Sequence, residues 1–167
     1  MIEIVGAKGE IENIDQFLKD VDNFGKSHKI VISVLNADMI YGKNHLISAV
    51  NHAVRSIDQK TNTTNTLGME ILLYASGERQ LKNAIPKMGV KKGKTNVAFV
   101  FTKGKMSDRI IDELLSQLNF IRKDAVLKGN IDTLKKFGIR KKEIDTISKD
   151  KLGNLILEKV AKVDIIK

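Results

Sequence analysis

The segment Gly89-Val90-Lys91-Lys92-Gly93-Lys94-Thr95 ends in the Gly-Lys-Thr of a phosphate-binding loop. Such a loop cradles phosphates with backbone N–H groups and a lysine. It needs four residues between its glycines, a strand before it and a helix after it. Here three residues separate Gly89 from Gly93, and the pattern reads helix first and strand second, so a lysine-rich turn is expected instead. Ser76, in Ser-Gly-Glu-Arg, lacks the glycine spacing of a nucleophile elbow, and the sequence identifies no base for it. Glu70 and Glu78 are of a type that can pair as acid and base. A strand over 69–75 would set Glu70 near its start, far from Glu78 at a helix entry, so Glu70 reads as an edge or ion-paired carboxylate. His45 and His52 are seven residues apart on a helix. They share a face but stand two turns, about 10 Å, apart, too far for one metal ion unless other ligands lie between. They read as surface histidines, with contact to an RNA or protein partner as the alternative. There is no cysteine, which excludes disulfides and thiolate metal sites, and no carboxylate cluster suggests magnesium. No catalytic residue, metal site or cofactor is therefore expected.

The basic residues are more informative. Arg79, Lys82, Lys87, Lys91, Lys92 and Lys94 crowd the interval 77–94 against Glu78 alone, a local net charge of +5. The whole chain carries +9, with residues 1–40 at −3 and the remainder at +12. Such asymmetry suggests a nucleic acid or another acidic partner. Arg79 and Lys82 fall on one face of an expected helix, beside the free N–H groups of its start, and Lys91, Lys92 and Lys94 lie just past its far end. This stripe suits a phosphate backbone. Lys43, His45 and Arg55 are further candidates for the same or a neighbouring surface. Tyr41 and Tyr74 are the only tyrosines and there is no tryptophan, so a strand face that stacks bases is disfavoured.

The elements that must position these groups follow from hydrophobic pattern. Residues 69–75 form an apolar run of strand length between Gly68 and Gly77, read as a buried strand. Leu81, Ala84, Ile85 and Met88 recur as a helical stripe, with Ser76 as its expected N-cap, Gly89 as its stop, and Pro86 expected to bend or end it. Residues 1–11 read as a short edge strand or hairpin, 30–35 as an interior strand and 96–102 as another strand. Helices are expected from Asn13 or Asp15 to Gly25, from Asn44 along Leu46, Val50, Ala53, Val54 and Ile57, and from Ser107 along Ile110, Ile111, Leu114, Leu115 and Leu118. Asp132 is the expected cap of a short helical turn, and Ser148 or Asp150 starts the last helix, which Gly153 weakens. Two strands joined through a helix suggest a crossover unit, with an antiparallel arrangement as the alternative. The fold class is α/β or α+β: a single domain over 1–167, one mixed or antiparallel sheet packed with several helices, and a helical C-terminal part. The N-terminus lacks the apolar core of a signal peptide, so a cytoplasmic protein is expected.

Asn36 to Gly42, then His45-Leu46 with Ala49 and Ala53, then Met-Glu-Ile-Leu-Leu-Tyr-Ala-Ser-Gly-Glu-Arg-Gln, Ala84-Ile85 and Gly89, resemble the small regulatory subunit of the KEOPS complex, whose animal counterpart is the PRPK-binding protein. The pattern runs to about Thr102, and Pro86 stands outside it. The resemblance implies a non-catalytic, archaeal-type subunit. Its partners would be the kinase-like KEOPS subunit, the 3′ CCA end of tRNA and, indirectly, the other KEOPS subunits, in support of threonylcarbamoyladenosine formation. Arg79, Lys82, Lys91, Lys92 and Lys94 would then meet phosphates. A pure protein adaptor that never touches RNA is the alternative.

Overall fold

The β-branched and aromatic runs pair as a four-stranded sheet in the computed structural model, which describes residues 1–167. Strand β1 (Ile2–Ile11) runs antiparallel to β3 (Gly93–Thr102) through ten paired residues, Ile2 opposite Thr102 and Ile11 opposite Gly93. Strand β2 (Val31–Asn36) pairs with the other side of β3, and β4 (Ile121–Arg122) with the other side of β1, both antiparallel. The order is β2-β3-β1-β4. The antiparallel alternative therefore holds and the crossover unit does not. Residues 1–11 form an interior strand, not an edge, and the run expected to be interior, β2, is an edge. The β-branched character of β2 reports burial by helices on both of its faces rather than strands on both of its sides.

Alternation along the strands splits the core in two. Val5, Ala7, Val97, Phe99 and Phe101 face one side, covered by α1 (Ile14–His28) and α5 (Asp108–Leu118). Ile4, Ala98 and Val100 face the other side, covered by α2 (Lys43–Asp58), α3 (Leu67–Ser76), α4 (Leu81–Met88) and α8 (Gly153–Ile166). Two short helices, α6 (Ile131–Phe137) and α7 (Lys141–Asp145), lead to α8. Asn13 and Ser107 cap α1 and α5 as expected, accepting from Gln16 N–H and Ile110 N–H. Asn130, not Asp132, caps α6, and the last helix begins at Gly153 after a single 3₁₀ turn at Lys149–Lys151. Helix α1 continues through Gly25 to His28, and the glycine serves proximity there. A Cβ on Gly25 would meet the Ile30 carbonyl oxygen at 2.9 Å.

The largest departure is α3, which replaces the strand expected over 69–75. Thr66 accepts from Met69 N–H at its start, and every residue from Glu70 to Ser76 is buried. A helix wrapped on all sides carries no polar face, so its sequence is indistinguishable by period from a buried strand. Ser76 accordingly ends α3 instead of capping α4, and Gln80 precedes α4 without a side-chain cap. Helix α4 runs past Pro86 to Met88 before Gly89 stops it.

The far side of β1 is closed beyond β4. Gly6 N–H donates to the Asp124 carboxylate at 2.9 Å, and Lys123 N–H donates to the Gly6 carbonyl at 2.8 Å.

Gly77 makes the turn from α3 towards α4 with φ of +69°, the left-handed region that a Cβ disfavours. Gly77→Ala is expected to cost about 1–2 kcal/mol of stability. It should appear as a lower urea midpoint at unchanged slope.

Candidate nucleic-acid interface

The α3–α4 turn and the α4–β3 turn carry the basic side chains. Arg79, Lys82, Lys91, Lys92 and Lys94 are all exposed, and none forms an ion pair with a carboxylate. Arg79 lies in the turn ahead of α4 and Lys82 in its first turn, so the two do not share a helix face as expected. Lys91 and Lys92 follow the other end of α4, and Lys94 stands at the start of β3 opposite Glu10. Helix α4 has eight residues, a span of about 12 Å, and the cations bracket it. The Lys91 ammonium donates to the Pro86 carbonyl, which folds that side chain back along α4. Lys43 is exposed and unpaired in the first turn of α2.

Two neighbouring cations are committed elsewhere. Lys87 is half-buried, 3.3 Å from Glu78 and 3.8 Å above the Phe137 ring centre. Burial pulls its pKa below the ordinary lysine value, with Glu78 working against that shift. Arg55 lies 3.2 Å from Asp164, whose same oxygen is 2.7 Å from His52 Nδ1. Tyr74 Oη donates to the other Asp164 oxygen.

His45 is not a surface histidine. It is 1% exposed, its Nδ1 accepts from Tyr41 N–H at 3.1 Å, and its Nε2 lies 2.8 Å from the Ala75 carbonyl. With Nδ1 accepting, the proton belongs on Nε2, where it is donated to Ala75. Burial lowers its pKa to about 4, Lys87 adding to the drop while the bond to Ala75 opposes it. His45 thus joins α2 to the end of α3 and presents nothing to a partner. The turn that its ring secures leads directly to Arg79.

Glu70 is a fully buried, ion-paired carboxylate and no partner for Glu78. It accepts from Ser56 Oγ at 2.9 Å, Thr63 N–H at 3.2 Å, Thr64 N–H at 2.9 Å, Thr64 Oγ1 at 2.7 Å and the Lys167 ammonium at 3.0 Å. Burial alone would raise its pKa, but the donors from Thr64, Lys167 and Ser56 together hold it below the ordinary value. The sequence pattern does not single out Asp164 and Lys167. They lie on the same side of a helix whose neighbouring Val160 and Val163 are buried, and charges beside an inward stripe are the available signal.

The family model described as kinase binding protein CGI-121 matches residues 10–161. The chain is 30% identical over 138 residues to a protein of Methanocaldococcus jannaschii named regulatory protein Cgi121, covering 80% of this chain and 83% of that one.

Two outcomes follow from the buried groups. In the folded state His45 stays neutral to about pH 4, whereas the unfolded chain protonates it near 6.5. Its contribution is complete above pH 6.5 and shrinks on acidification, by about 2 kcal/mol between pH 7 and pH 5. Urea unfolding at the two pH values should show this. His45→Gln, which keeps a donor and an acceptor but does not titrate, should flatten the dependence. Glu70→Ala strands the Lys167 ammonium and two buried N–H groups and should cost about 3–5 kcal/mol in the same assay at pH 7.

Proposed function

The chain belongs to the CGI-121 family of kinase-binding proteins, and from that premise we propose that it is the non-catalytic KEOPS subunit that docks the kinase-like subunit and holds the 3′ CCA end of tRNA. In this reading it supports threonylcarbamoyladenosine formation by positioning RNA beside subunits that carry out the chemistry. The observation that carries the RNA half is the set of exposed cations without carboxylate partners around α4: Arg79, Lys82, Lys91, Lys92 and Lys94. A cation already neutralised inside its own protein gains little from a phosphate, whereas an unpaired, solvated one releases the counterions of the nucleic acid when it binds. Arg55 and Lys87 belong to the first kind, and His45 lies in the interior. Lys43 belongs to the second kind and extends the surface along the start of α2. Phosphate contacts supply affinity without sequence choice, so preference for the CCA end requires contact with the terminal bases themselves.

Gel-shift titration of the purified chain with intact tRNA, and with tRNA lacking its CCA end, tests the proposal. Intact tRNA should bind and truncated tRNA should bind at least tenfold more weakly. Arg79→Glu with Lys82→Glu should weaken binding to intact tRNA at least tenfold. It should also reduce the slope of log K against log salt by about 0.7 for each phosphate that the variant no longer neutralises. Equal indifference to both RNAs at low salt would leave the adaptor reading, tested by co-purification with the kinase-like subunit.

A further inference from the structure

An apolar cleft of about 520 Å³ opens between α1 on one side and α3 and α4 on the other. Leu18, Val21, Ile32, Leu72, Ile85 and Val90 contribute to its lining, and Leu18 and Ile85 remain 42% and 46% exposed. The free edge of β2 lies along it. We propose that this cleft receives an extended, uncharged apolar segment of a protein partner, added to β2 as a further strand.

The backbone selects the conformation of the occupant. Strand β2 has a neighbour on one side only, and alternate residues of an edge strand turn their N–H and C=O groups away from that neighbour. The Ile32 carbonyl faces Gly68 of α3 across a gap that a Cβ would meet at 3.8 Å, so Ile32 and Val34 are the residues turned outward. Outside the β2–β3 ladder, no backbone hydrogen bond within the chain uses a group of residues 31–36. An extended segment can satisfy those groups, whereas a helix, with its own bonds internal, cannot.

The lining selects the chemistry of the occupant. The two charged residues at the cleft, Asp22 and Lys26, stand 2.8 Å apart and neutralise each other. On a chain of net +9, this surface thus offers a phosphate nothing. No aromatic side chain lines it either, so it lacks the stacking platform that nucleic-acid bases use. A second copy of the chain is equally unsuited. Its own β2 is recessed between helices, with Ser33 and Val34 only 5% and 8% exposed, and two recessed strands cannot meet. The occupant is therefore a protruding apolar strand from another protein.

The experiment uses the full chain and a fluorescent hexapeptide, acetyl-(Thr-Val)₃-amide, with a control of the same length carrying proline at alternate positions to remove N–H donors. The alternating peptide should bind by anisotropy, and hydrogen exchange at the Ile32 and Val34 amides should slow at least tenfold on binding. Leu18→Glu and Ile85→Glu, both at exposed positions, should each weaken the peptide at least tenfold with unchanged circular dichroism and unchanged tRNA binding. Absence of peptide binding would overturn the proposal. So would equal binding of the proline control, which marks a greasy surface without strand pairing, or slowed exchange that leaves Ile32 and Val34 out. The tRNA readout separates failure here from failure of the RNA-holding function.

Discussion

A carboxylate sealed from water must have its charge met from within the protein, and Glu70 draws its donors from three distant stretches of chain. Ser56 comes from the last turn of α2, Thr63 and Thr64 from the loop before α3, and Lys167 from the residue after α8. These groups bond well only when α2, α3 and α8 adopt one mutual arrangement. The apolar contacts around them, among residues such as Ile71, Leu73, Val160 and Val163, would tolerate some sliding. The ion pair therefore fixes a register that burial alone leaves loose. His45 continues the same task at the other end of α3, binding the Tyr41 N–H and the Ala75 carbonyl. Together they settle where α3 stops, where Gly77 turns the chain, and where α4 and its basic flanks project.

This arrangement is partly legible in the residues. The strand over 96–102, the caps at Asn13 and Ser107 and the stripe of α5 rest on local chemistry, and local chemistry is what a sequence displays. The departures share one cause, a role assigned by neighbours far away in the chain. Helix α3 reads as a strand because α2, α4, α8 and β2 surround it and remove the need for a polar face. His45 reads as exposed because it is polar, although Ala49 and Ala53 follow on the same side of α2 and leave room for a buried ring. The small residues are the signal, and the imidazole fills the space they open. The sheet order depends on pairings such as Ile2 with Thr102, a hundred residues apart, and no local pattern reports those.

The basic surface divides in the same way. Its membership is readable from composition, but which cations are spent is not. Lys87 sits between Arg79 and Lys91 in the sequence and yet turns in against Glu78 and Phe137. Arg55 faces outward and is still held by Asp164 from α8. What distinguishes a binding cation from a structural one here is the presence of an anion from another element, which only tertiary structure supplies.

The two borders of the sheet are finished differently. Beyond the two-residue β4, the Gly6 amide is taken by the Asp124 carboxylate and the Gly6 carbonyl by Lys123. The other border, along β2, carries no such plug. A chain with only one border open cannot template a growing fibril, because each copy could accept a strand but has no second border from which to pass the pairing on. The carboxylate of Asp124 thereby lets the molecule keep an accessible backbone edge without the hazard of polymerisation.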